Sequence, residues 1–142
     1  PWPSLRPMYA AAPNTTSHIS TKSIARDGGV SNFRSSVVVL PNAKGSKSSV
    51  SCESLMLDDR SRSDTIPAMD IRCDAVDVGH EAKIGRISEE AIFYLMSRGM
   101  TEEDARALIV GGFAEPIAKE LPLEYAVEMN NLIHLEMKGS IG

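Results

Sequence analysis

The sequence predicts a mixed β and α fold, in which a strand-rich segment is followed by a small helical subdomain. Residues 17–87 contain five short strand-like runs, separated by turn residues and free of helical periodicity. From residue 88 onward the apolar residues recur at helical spacing. The charge changes at the same point: residues 1–87 carry 11 Lys and Arg against 9 Asp and Glu, whereas residues 88–142 carry 4 against 10. These changes together predict a structural boundary near residue 87.

The chain opens with a proline-rich lead-in. Residues 1–16 contain four of the eight prolines. Proline fixes φ and removes an amide donor, so we expect an extended or irregular segment before the first predicted strand.

The predicted β segment, residues 17–87, is divided by turn signals. Asp27-Gly28-Gly29 and Pro41-Asn42 are typical turn sequences, and the run 58–64 is a polar break. The strands that remain are 17–26, 32–40, 48–57, 65–72 and 76–87. This spacing fits a β-sandwich, a barrel or a β-solenoid, and the abundant Ser and Gly with only 5% aromatic residues favour the solenoid.

The predicted helical subdomain, residues 88–142, begins at a strong capping signal. Ser88 is a favourable N-cap, and Gly99 suits the position just after the helix end. Between them, Ile92, Leu95 and Met96 form an apolar stripe at positions i, i+3 and i+4.

Two further helices are predicted. Thr101 caps the second, with Asp104 three residues later in a near capping box. Pro122 suits the first position of the third, which we expect to end at Gly139. The pattern assigns the inner face of the second helix to Ala105, Leu108, Ile109 and Gly112.

The composition excludes several classes of protein. A net charge of −4 argues against a general nucleic-acid binder, which usually presents a basic face. No apolar run is long enough for a membrane span, and no signal peptide opens the chain. Two cysteines, Cys52 and Cys73, are too few for a disulfide framework, so we expect reduced thiols and a cytoplasmic location.

Cys52 is the first candidate for chemistry. A thiolate is a soft ligand for iron–sulfur clusters, zinc or copper(I), and it is also a nucleophile. The alternative is a buried structural cysteine, which is common. Cys73 admits the same two readings with less support. A Cys52–His80 hydrolase dyad is disfavoured, because nothing in the sequence indicates an oxyanion hole.

His80 and Glu81 form the second candidate. Adjacent residues of a regular strand point to opposite faces, so both reach one metal only if the strand is kinked. Gly79 would supply such a bulge. The alternative is that one of the two side chains is solvated and the other is hydrogen-bonded locally.

Several motifs, spread over most of the chain, match one family together. They include Cys52-Glu53-Ser54-Leu55, Ser63-Asp64-Thr65-Ile66-Pro67, Gly79-His80-Glu81-Ala82, Ile92-Phe93-Tyr94-Leu95-Met96-Ser97-Arg98-Gly99 and Glu120-Leu121-Pro122-Leu123-Glu124-Tyr125. By these motifs the chain resembles SufB, the scaffold subunit of the SufBCD iron–sulfur cluster assembly complex. The resemblance covers about residues 9–142, and Glu81 after the histidine distinguishes it from the paralogue SufD, which usually has a small residue there.

The resemblance implies a fold and a function. Residues 17–87 would be the C-terminal part of a right-handed parallel β-helix, and residues 88–142 a helical subdomain that docks the ABC-type ATPase SufC. A transient iron–sulfur cluster would bind near the interface with SufD or a second SufB, at Cys52 with His80 and Glu81 beside it. The protein would be a scaffold and not an enzyme.

Two further expectations accompany this resemblance. Most of the β-helix of the family, including any upstream cysteines that accept sulfur, is absent from these 142 residues, and we expect the open end to pair with another copy as a homodimer. The alternative function is a docking and dimerisation module, with the cluster chemistry elsewhere in the complex.

Overall fold

The computed structural model describes residues 7–137, and these divide into a β unit that ends at Arg86 and a helical unit that begins at Ile87. The β unit contains six strands: β1 (Met8–Ala10), β2 (Thr16–Ala25), β3 (Val30–Val39), β4 (Lys47–Met56), β5 (Arg62–Ile71) and β6 (Asp77–Arg86). The helical unit contains α1 (Glu89–Ser97), α2 (Glu102–Ala118) and α3 (Leu123–Met137).

The strands form two parallel sheets. One sheet has the order β1-β3-β5 and the other β2-β4-β6, so consecutive strands alternate between the sheets. Every pairing is parallel. The mixed β and α class is therefore confirmed, and the five predicted strands lie within a few residues of the observed ones. The short strand β1 falls in the segment that was expected to be an extended or irregular lead-in.

Alternation of side chains places the core between the two sheets. On β4 the buried residues include Ser48, Val50, Cys52 and Ser54, while the residues between them are more exposed. The apolar cluster joins β4 to residues of the other sheet, and its members are Ala10, Val37, Val39, Ala43, Val50 and Cys52. Each of the three buried valines of this cluster, Val37, Val39 and Val50, contributes roughly 1.5–3 kcal/mol to folding.

The turns of the β unit repeat from one strand pair to the next. Asn14 donates its backbone N–H to the carbonyl of Lys44 at 2.9 Å, and Gly45 donates to the carbonyl of Ala75 at 2.7 Å. Gly45 has φ +74°, and a Cβ there would lie 2.3 Å from the Asn14 side-chain oxygen. Only glycine fits this close approach without a shift of its neighbour.

The first helix follows its sequence signals. The Ser88 hydroxyl accepts from the Ala91 N–H at 3.1 Å, which confirms the predicted N-cap. Gly99 has φ +95° and its N–H donates to the Met96 carbonyl, as expected just past a helix end.

The N-cap of helix α2 is the predicted one, but the residues that the helix buries differ from the prediction. Thr101 is its N-cap. The buried residues are Ala105, Ala107, Val110, Ala114 and Ala118, whereas Leu108 is 54% exposed. The reason is that α2 contacts both α1 and α3, so its small residues are covered on two sides instead of one apolar stripe. The predicted inner face assumed that the helix is covered on one side only, and the assignment of Leu108 to that face is therefore wrong.

Helix α3 begins one residue later than predicted, with the Pro122 carbonyl accepting the N–H of Ala126. Its predicted end at Gly139 lies outside the described residues. None of the three helices, over the part of the chain that the structure describes, is long and apolar enough to cross a bilayer.

Candidate functional site

Cys52 lies on the inner face of β4, within the core between the two sheets. Its side chain is flanked on the same strand by Val50 and Ser54, and the residue is only 3% exposed. Successive residues of a strand point to opposite faces, so Cys52 shares the buried face with Val50, and the more exposed Ser51 and Glu53 lie on the other face. The thiol is free, in the sense that it forms no disulfide.

His80 reaches Cys52 from the neighbouring strand. In the parallel ladder between β4 and β6, His80 is in register with Val50, so the two residues share the inner face. The Cys52 Sγ and the His80 Nε2 lie 3.5 Å apart, within hydrogen-bond distance for sulfur. The structure therefore brings together two predicted site residues from positions 28 residues apart in the chain. The ring can accept the thiol proton or donate to a thiolate, depending on its tautomer.

Glu81 points away from this pair. It is in register with Ser51, on the outer face of the sheet, and its side chain is 62% exposed. Its carboxylate accepts from the Lys83 ammonium at 3.1 Å. This hydrogen bond and the attraction between the two charges raise the pKa of Lys83.

The bulge considered at Gly79 is absent. The ladder from Lys47–Asp77 to Met56–Arg86 runs without interruption through Gly79, His80 and Glu81. The strand is therefore regular, and its alternation separates the two side chains. In the sequence the pair is adjacent; in the structure it is divided between two faces.

The other thiol and histidines lie elsewhere. Cys73 is half-buried against the same apolar core and follows the end of β5. His18 accepts or donates a 2.6 Å hydrogen bond with the Ser49 hydroxyl, on the outer face of β2. His134 lines a cavity of about 750 Å³ in the helical unit, between α2 and α3.

Two polar arrangements were not anticipated from the sequence. On the outer face, Lys22 and Glu53 form an ion pair at 2.7 Å, in register with Lys83 on β6. On the inner face, the Ser54 hydroxyl hydrogen-bonds Ser23 at 2.8 Å and Ser63 at 2.6 Å. The pairing of β2 with β4 joins Lys22 to Glu53 and Ser23 to Ser54 over 31 positions, and Ser63 reaches Ser54 from the other sheet, so no local sequence pattern indicates these contacts.

The inner face thus offers two donors for a metal, one sulfur and one nitrogen. A thiolate and an imidazole are both suitable ligands for iron in clusters. Within residues 7–137, no group of three or more His, Cys, Asp or Glu is arranged to hold a metal ion. Further ligands would have to come from outside this set of residues.

Comparison with known proteins gives a consistent result. Residues 7–113 match the model of a family described as "SUF system FeS cluster assembly, SufBD core domain". The chain is 56% identical over 135 residues to an iron-sulfur cluster assembly SufBD family protein of Mycobacterium bovis, and 53% identical over 135 residues to one of Staphylococcus saprophyticus. These alignments cover 95% of the chain, but only 16% and 29% of the respective relatives.

Proposed function

This chain belongs to the SufBD family, and we propose that it acts in iron–sulfur cluster assembly as a non-enzymatic scaffold segment that holds a nascent cluster as cargo. The contact between Cys52 Sγ and His80 Nε2 at 3.5 Å carries the proposal. It joins the two residue types best suited to iron on one inner face, although they are distant in sequence.

Cys52 and His80 have different roles in the proposed site. Cys52 must lose its proton before its sulfur can bind iron. We propose that His80, in the tautomer with an unprotonated Nε2, accepts that proton or serves as the second ligand. Glu81 lies on the outer face and is paired with Lys83, so we propose that it acts outside the coordination sphere formed by Cys52 and His80.

Two donors do not complete the coordination of a cluster, whose irons are commonly held by four cysteine ligands or their substitutes. We infer that the remaining ligands come from a partner subunit, which agrees with a cluster bound at a subunit interface. Such a partner would pair with β5 and β6, which are the last strands of the two sheets within the described residues. That partner would be SufD, a second SufB or another copy of this chain.

We interpret the alternating parallel strands as rungs of a right-handed parallel β-helix. Consecutive strands alternate between the two sheets, the turns stack on one another, and serines such as Ser23 and Ser54 hydrogen-bond inside. These features are expected of such a solenoid. In this arrangement Cys52 and His80 belong to successive rungs, and the register of the ladder sets the distance between them.

We assign the docking of the SufC-type ATPase to the helical unit. Several large apolar side chains of this unit are exposed, among them Phe93, Leu123 and Tyr125 at 75%, 76% and 68%. Exposed apolar groups of this size commonly mark interaction surfaces. The expected compartment is the cytoplasm, where thiols such as Cys52 remain reduced.

The test is anaerobic reconstitution of the chain with iron and sulfide, in the presence of the SufC-type partner. We expect wild-type protein and Cys73→Ser to develop the visible charge-transfer absorption of a cluster, and Cys52→Ser to lose most of it. His80→Ala should reduce it to an intermediate level. The Cys73→Ser control separates loss of the site from loss of any thiol.

A second candidate function is a docking and dimerisation module without cluster ligands. The large apolar exposure of the helical unit and the unpaired edges of the sheets favour it. If Cys52→Ser reconstitutes as well as wild type while complex formation is retained, this second function replaces the first.

A further inference from the structure

Ala82 is the direct neighbour of Cys52 on the last strand of its sheet. The β4–β6 ladder places Cys52 opposite Ala82, two residues beyond the Val50–His80 pair and on the same face. Adjacent strands lie about 4.8 Å apart, so the two Cβ atoms are in contact range on the inner face. The side chain at position 82 therefore forms one wall around the thiol.

The neighbours of Cys52 within its own sheet differ in size and in exposure. On β4 the neighbours on the same face are Val50 and Ser54, both buried, and on β2 the residue in register with Cys52 is Thr21. Ala82 is the smallest of these four and is exposed to solvent. Cys52 is 3% exposed, although Ala82 beside it is an exposed residue.

The rest of the inner face of β6 is open as well. Ile84, two residues further along the strand, is 48% exposed, and His80 is half-buried. On β6, the inner-face residues beside Cys52 are therefore the exposed Ala82 and the half-buried His80, whereas on the side of the other sheet Cys52 packs in the core cluster with Val37 and Val39. A larger side chain at position 82 would occupy this open space and cover more of the Cys52 side chain.

We propose that Ala82 sets the size of what reaches the Cys52 thiol, by leaving a passage across β6 for iron, sulfide or a small cluster. This inference rests on the proposed function of Cys52 as a ligand. It adds a residue that controls access without itself binding iron, and its test does not depend on cluster loading.

The experiment measures the rate at which a small uncharged thiol reagent, iodoacetamide, alkylates Cys52 in the folded chain. Cys73→Ser is the background, so that one thiol remains and intact mass reports its modification. We expect Ala82→Leu to slow alkylation about tenfold and Ala82→Val to slow it less, because local opening must then move a larger group. Ala82→Ser should react at the rate of the background.

Ala68→Leu is the matched control, because Ala68 is also exposed on an edge strand but alternates to the outer face of β5. It should leave the rate unchanged. Circular dichroism verifies that each variant is folded, and alkylation in denaturant verifies that the thiol is intact. If Ala82→Leu does not fold, the alkylation rate of the smaller Ala82→Val variant tests the inference instead.

Equal rates for folded Ala82→Leu or Ala82→Val and the background would overturn the inference, as would a Cys52 that does not react in the background protein. Failure of the proposed function gives a different result. In that case the alkylation rates follow the size of residue 82, while Cys52→Ser still reconstitutes a cluster.

Discussion

Asp58 joins two turns of the β unit through one carboxylate. It accepts from the backbone N–H groups of Arg60 and Ser61 at 2.8 Å, from the Ser61 hydroxyl at 2.9 Å, and from the N–H of Asp27 on the preceding turn. Desolvation pushes the pKa of Asp58 upward, but the hydrogen bonds from Ser61, Arg60 and Asp27 outweigh it. The resulting pKa is about 2, below the ordinary value of 3.8.

This depressed pKa predicts a pH-dependent stability. The ionised carboxylate stabilises the folded chain above pH 3.8, and that contribution is lost as the pH falls toward 2. We expect Asp58→Asn to lower the melting temperature at pH 7, because an amide oxygen is a weaker acceptor and the amide nitrogen cannot accept. The deficit should narrow when melts are repeated at pH 4, 3 and 2. A deficit that stays constant across this range would contradict the assignment.

At the scale of the element, helix α2 depends on its cap. The Thr101 Oγ1 accepts from the Asp104 N–H at 3.1 Å and donates to the Asp104 carboxylate at 2.8 Å. Glu102, Glu103 and Asp104 follow in the first turn, where negative charge is favoured by the helix dipole. The cap therefore satisfies an amide that has no partner within the helix.

Thr101→Ala should lower the free energy of unfolding of the helical unit by about 1 kcal/mol. Thr101→Ser retains the hydroxyl and should change it by less than half of that amount. Urea denaturation followed by the helical circular dichroism signal at 222 nm measures both. Equal stability of the alanine and serine variants would show that the hydroxyl does not cap the helix.

At the scale of the whole molecule, the two sheets each end in a strand with an unpaired edge within the described residues. On β5, Ile66 is 51% exposed and Ile71 is 47% exposed, so this edge is both apolar and open. Open edges of this kind template pairing with another chain. The same edges would receive SufD or a second SufB in the assembly that we propose.

We therefore expect the isolated chain to form dimers or larger species at micromolar concentration, measured by light scattering after size exclusion. Ile66→Lys places a charge on the open edge and should shift the population toward monomer. Lys83→Ala, a change on the outer face of the other sheet, is a comparison that should shift it less. A monodisperse wild-type monomer would count against edge pairing.

The sequence by itself predicted the order and type of the elements. Turn dipeptides, capping residues and the change of periodicity near residue 87 are local signals, and each is satisfied by bonds within a few residues, as at Ser88 and Thr101. It also indicated Cys52 and His80 as candidates, through residue chemistry and through a resemblance to a family.

Only the tertiary structure decided which of these residues meet. The register of β4 with β6 brings Cys52 within 3.5 Å of His80, puts Glu81 on the opposite face and sets Ala82 beside the thiol. That register is fixed by hydrogen bonds between strands about 30 residues apart, together with burial of the inner face of β4. A slip of one residue would turn every side chain of a strand to the other face, and no short stretch of sequence carries that information.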